Sequence, residues 1–172
     1  MDINNNVIDN AYYMINLFER GKKNITHLKL EILMYFTECF FISSFPNFKT
    51  LFKEPCYASV YCPTYQTLYE RFADFRRYKL VINSNDSFIG ETIPKINKTI
   101  LEQIYMTFSD FSLSDLVCIV LDSDCPYRVI TTMVENKNFY NYGENGIIMS
   151  KIKSAEWFRK IIKPEGVEKL EQ

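Results

Sequence analysis

The chain has one histidine, and that bounds much of the chemistry it can do. His27, Glu31 and Glu38 fall at helical spacing on one strip, and an i, i+4 pair such as His27 and Glu31 can in principle hold one edge of a metal ion. One strip supplies too few convergent ligands, however, so the expectation is a solvated polar face. Asp122 and Asp124 in the stretch LDSDCPY could face a hard cation. With no further carboxylates beside them, they read as turn-forming and helix-capping residues. The five cysteines, Cys39, Cys56, Cys62, Cys118 and Cys125, are odd in number and lack CxxC spacing. Cys56, Cys62 and Cys125 sit in loops or at helix starts, where a helix dipole can lower a thiol pKa. The simpler reading of such thiols is as small buried hydrophobes. No serine nucleophile elbow, glycine-rich phosphate loop or paired cysteine motif is present. The residues thus indicate no enzyme and imply no cofactor and no metal.

Aromatic residues offer a different chemistry, that of recognition. The chain carries 14 Phe and 12 Tyr against only 5 Gly, so many Tyr rings must sit partly in water. Tyr, Trp and Arg dominate protein-binding hot spots because they combine large apolar area with a polar end. Tyr57, Tyr61, Tyr65, Tyr69 and Arg71 cluster in one stretch, and Tyr127 with Arg128 follows a turn further on. These seven residues are the candidate partner-binding set; the competing reading is that half of these rings are core. The formal charge of −1 argues against a nucleic-acid partner, which calls for a strongly basic face. The locally basic Arg71, Arg76, Arg77 and Lys79 read as a solvated helix end. The polar start MDINNN reads without a signal peptide, and unpaired thiols then imply a reduced, cytoplasmic setting.

These residues need elements to position them. At 172 residues the expectation is one domain over 1–172, mainly α, with about six to seven helices. Its hub is the stretch 26–42, THLKLEILMYFTECFFI, apolar on nearly every side of a helical wheel and therefore a buried central helix. Its apolar run is far shorter than the ~20 residues needed to span a bilayer. An opening helix covers 6–20, capped by Asn5 or Asn6 and ended by Gly21 in a left-handed conformation. Residues 43–55 form a packed loop, Cys56 to Tyr61 a short extended lead, and Pro63 starts a helix that runs to about Tyr78. The segment 79–90 can form one small β-hairpin. Helical spacing resumes through Ile100, Ile104 and Phe108; Ser112 and Asp115 form a capping box, and Pro126 opens another helix. A final helix with Trp157 and Ile161 is capped by Ser150 or Ser154, and 163–172 is a charged tail.

Four pieces in this order resemble a known family: LKLEILMYF at 28–36, LFKEPCYASVYCPTYQTLY at 51–69, LDSDCPY at 121–127, and Ile-Met-Ser before the helix bearing Trp157 and Phe158. The likeness is to the Panacea domain family, which includes SocA-like antitoxins and proteins carried by prophages and mobile elements, and it covers roughly residues 8–162. Leu30, Leu33, Tyr35, Phe36, Ala58, Pro63, Tyr69 and Pro126 fit its pattern. Ile32, Cys62, Asp122 and Tyr127 depart from it. The resemblance implies a non-enzymatic cytosolic protein that neutralises a toxin by binding it. The departures leave room for a redirected partner, a host defence component bound by a phage or mobile-element protein.

Overall fold

Polar side chains cap the starts of α-helices at Asn6, Thr26, Ser112 and Ser150. The computed structural model describes residues 6–45, 47, 50–75, 77–81, 92–135 and 146–162. Asn6 accepts a hydrogen bond from the Ile8 amide and opens α1 (Val7–Arg20). Thr26 opens α2 (His27–Ser44), its Oγ1 accepting from the Lys29 amide at 3.4 Å. Two short strands follow, β1 (Cys56–Ala58) and β2 (Pro63–Tyr65), then α3 (Gln66–Phe72), prolonged by a 3-10 turn over Ala73–Phe75. After Pro94 comes α4 (Lys95–Phe108), and α5 (Leu113–Val120) begins at a complete capping box. There Asp115 N donates to Ser112 Oγ at 3.1 Å, and Ser112 N donates back to Asp115 Oδ2 at 2.8 Å. α6 (Pro126–Glu135) starts on its proline, whose missing N–H costs nothing in a first turn. β3 (Ile147–Ile148) and α7 (Lys151–Ile161), capped by Ser150, complete the described chain.

The fold is thus mainly α, a single domain with seven helices and a small antiparallel sheet among the described residues. α2 is its axis. Leu30, Ile32, Leu33, Met34, Tyr35 and Phe36 are all buried, since α7, α4, α5, α1, α3 and β2 surround the helix. Tyr35 stacks on Trp157 with ring centroids 6.3 Å apart, and Phe36 meets Phe108 and Phe158 at 5.0 and 5.2 Å. An all-round apolar helix has no solvent face to spare, and here it has none. No helix of the described residues is long and apolar enough to cross a membrane.

Three local expectations change. Pro63 does not start a helix: it is the first residue of β2, paired with Ala58, a strand position at which a missing N–H is tolerated. The sheet lies where the sequence shows only an extended lead and Gly146-Ile-Ile-Met, in the order β2-β1-β3, because β3 returns from a distant part of the chain to pair with β1. Of the hairpin expected over 79–90, residues 82–90 lie outside the described residues; Lys79 makes an isolated antiparallel bridge to Thr26. At the end of α1 the left-handed residue is Lys22, with φ 54°, while Gly21 has φ −78°. Gly21 is there for space: a Cβ would collide with the Tyr105 hydroxyl.

Candidate partner-binding surface

The strip of α2 that reads as solvated is in fact buried. His27, Glu31 and Glu38 are each under 5% exposed, because β2, the loop at 50–52 and α7 cover that side of the helix. Buried backbone amides need acceptors, and these carboxylates supply them. Glu31 Oε1 lies 3.1 Å from His27 Nε2, and Glu31 Oε2 accepts from Tyr65 N at 3.2 Å. Burial pushes the Glu31 carboxyl up to about 7, against the pull of its hydrogen bonds to His27 and to the Tyr65 amide. Two turns on, Glu38 accepts from Phe52 N at 2.9 Å and Leu51 N at 3.2 Å, while Lys151 at the start of α7 pairs with it at 3.1 Å. Burial raises the Glu38 carboxyl as well, opposed first by Lys151 and then by Thr50. Both groups work as brackets: Glu31 ties the β2–α3 junction to α2, and Glu38 ties the 50–52 loop and α7 to the same helix.

The seven candidate residues separate once placed on these elements. Tyr61 is 73% exposed in the turn between β1 and β2, and Tyr69 is 48% exposed on α3, where its ring lies 5.5 Å from that of His27. Tyr57 is half-buried on β1. Arg71 is exposed but held, its Nε donating to Tyr12 Oη at 2.7 Å with the guanidinium over the Tyr12 ring. Arg128 is half-buried on α6. Tyr65 and Tyr127 do not lie at the surface. Tyr65 is wholly buried against Phe52, at the end of a strand buried at all three positions, with its amide donating to Glu31. Tyr127 is 3% exposed, and its hydroxyl donates to the carbonyls of Ser59 and Val60 at 3.2 and 3.4 Å.

That last contact matters for the surface. The turn carrying Tyr61 is braced from beneath by Tyr127 and within by Ser59, whose Oγ donates to the Cys62 carbonyl and meets Thr64 Oγ1, both at 2.8 Å. Val60, beside Tyr61, is 62% exposed on the same turn. Ile148 on β3 is 61% exposed and in register with Tyr57, so both side chains stand on one face of the sheet. Sequence reading passed over Val60 and Ile148; only strand pairing shows that Ile148 extends the surface begun by Tyr57. The exposed candidates are therefore Tyr57 and Ile148 on the sheet, Val60 and Tyr61 on its turn, and Tyr69 on the helix that follows β2.

Among the described residues no group of three or more His, Cys, Asp or Glu side chains is placed to hold a metal ion. All five cysteines are free thiols, and four of them are buried. Burial pushes the Cys56, Cys62 and Cys125 thiols up, the reverse of the activation a helix start can bring. Asp122 shapes its turn, Oδ1 accepting from Asp124 N at 3.0 Å. Compared with known proteins, the chain matches no family model, no curated protein and no solved structure.

Proposed function

We propose that this protein is a non-enzymatic protein-binding module that neutralises a toxin by direct contact through the surface around Tyr61. One observation carries the reading: exposed aromatic and apolar side chains stand on a turn whose backbone accepts hydrogen bonds from Tyr127 and Ser59. A turn whose backbone is already braced loses less entropy on binding than a loose one, so it converts buried area into affinity more efficiently. Exposed apolar residues on both the turn and the neighbouring strand make a surface whose burial is favourable. The resemblance to SocA-like antitoxins supplies the class of partner and is an argument from likeness alone.

The test is affinity capture from the native host with wild-type protein and with the double variant Tyr61→Ala, Tyr69→Ala, followed by mass spectrometry. The expected result is a stoichiometric toxin-like partner on the wild type that is lost from the variant, while the variant keeps its melting temperature. A nuclease or defence subunit captured in the same way moves the reading to a phage-borne inhibitor of host defence. Equal recovery on both proteins removes the surface from the account.

A further inference from the structure

α3 has no cap of its own. Its N-cap residue is Tyr65, whose side chain accepts nothing from the first turn, and two carboxylates from other elements take that role. Glu54, in the loop before β1, accepts from Thr67 N at 2.8 Å, and Glu31 of α2 accepts from Tyr65 N at 3.2 Å. The two acceptors differ in their surroundings. Glu54 is half-buried, whereas Glu31 is 0% exposed.

The charges around Glu31 do not balance a carboxylate. On its own helix it meets His27, the sole histidine of the chain, with Nε2 and Oε1 3.1 Å apart. Facing it from the other elements are the Cys56 thiol of β1, the Cys62 thiol of the β1–β2 turn and the like charge of Glu54. Lys79 bridges to Thr26 at the start of α2 through its backbone, and the residue is exposed. His27 in turn carries the contact outward, its ring lying 5.5 Å from that of Tyr69, which is half exposed on α3. One buried carboxyl thus joins the central helix to a helix whose outer side reaches solvent.

We propose that Glu31 is a proton-operated latch between α2 and α3: protonated, it holds the β2–α3 junction closed, and on giving its proton to water it lets that junction open. The reason is desolvation. A neutral carboxyl can donate from Oε1 to His27 Nε2 and accept at Oε2 from Tyr65 N, leaving no net charge in a dry site. A carboxylate in the same place has Glu54 beside it and gains by reaching water. Burial, the largest influence on this group, pushes it from 4.5 up to about 7. The closed junction therefore holds the proton more tightly than an open one. Closure is strongest below about pH 4.5, weakens as the pH rises to about 7, and levels off beyond. An opened carboxyl that returns to 4.5 makes the whole change about 300-fold in the opening equilibrium. Any consequence for Tyr69 as a binding residue rests on the protein-binding reading. The latch itself is measured without a partner, so the two fail separately.

The experiment is NMR of the full-length protein from about pH 4.5 to about 8, the span over which the linkage acts. Hydrogen exchange is followed at the Tyr65 amide and at the Ala73 amide, which donates to the Tyr69 carbonyl, and is corrected for the intrinsic effect of pH on exchange. Both amides are expected to be less protected than the buried Ile100 and Ile104 of α4, as a local opening requires. Their protection should fall by up to about 300-fold as the pH approaches 7 and then level off. The 13C signal of the Glu31 carboxyl should titrate with a midpoint of about 7. Glu31→Gln keeps an acceptor for Tyr65 N and should remove most of the fall. A wild-type Glu31 carboxyl with its midpoint at or below 4.5 overturns the proposal in favour of a buried ion pair with His27. Protection at Tyr65 and Ala73 equal to that in α4 at every pH also overturns it, because the junction then opens only with the whole fold. These two readings are made on the wild type, so they decide the matter even where the variant does not fold.

Discussion

A carboxylate under 1% exposed is costly unless its environment is built for it, and Glu31 shows what the environment here provides. It has one imidazole, one backbone amide and, among the described residues, no lysine partner, whereas Glu38 two turns later has Lys151 as well as two amides. The difference predicts a pH dependence. Because burial raises the Glu31 carboxyl from 4.5 to about 7, the folded chain holds that proton more tightly than the unfolded one. Stability from this group is therefore fully present below about pH 4.5 and is lost as the pH rises through about 7. With ~1.4 kcal/mol per pKa unit, the loss is of order 3 kcal/mol. Urea unfolding at a series of pH values between those limits should show stability falling, and Glu31→Gln should flatten the part of the slope that belongs to this carboxyl. An unchanged slope in the variant would assign the dependence to other groups.

At the level of elements, the small sheet depends on one glycine. Gly146 has φ 81°, and a Cβ there would collide with the Ala58 carbonyl of β1. Both the left-handed backbone and the close approach require glycine, so Gly146→Ala meets strain and a clash together. The expected cost is about 2–3 kcal/mol in thermal or urea unfolding. The damage should be local to β3: the Met149 amide, which donates to the Cys56 carbonyl at 2.8 Å, should exchange with solvent faster while the α2 amides stay protected. Uniform loss of protection through α2 would show instead that the sheet is part of the global folding unit. The capping box at Ser112 was legible in the sequence, and the caps at Asn6 and Ser150 were each one of two expected candidates, because an N-cap is a contact between residues two or three apart. β3 pairing with β1 was not, since its partner lies some ninety residues away.

For the whole molecule, the aromatic residues divide into those that build the domain and those it presents. Tyr65 and Tyr61 lie close in sequence and are expected to behave oppositely. Tyr65→Ala should cost about 3–5 kcal/mol by emptying a core site, whereas Tyr61→Ala should leave the melting temperature nearly unchanged. The Tyr65 hydroxyl is buried with no hydrogen-bond partner among the described residues, so Tyr65→Phe should be neutral or stabilising by up to ~1 kcal/mol. Destabilisation by Tyr61→Ala comparable to that of Tyr65→Ala would place both in the core. Hydrophobic periodicity alone determined that the protein is mainly α and that residues 26–42 make its central helix, because a helix apolar on all sides has only the interior to go to. What covers each face was decided by tertiary structure. The strip of His27, Glu31 and Glu38 is polar by period and buried by topology, since the backbone amides of Leu51, Phe52 and Tyr65 come to it from outside the helix. The same holds for Tyr61, Tyr65 and Tyr127: composition marks them as recognition residues, and only the packing of β2 and α6 separates the exposed Tyr61 from the buried Tyr65 and from Tyr127, whose hydroxyl holds its turn.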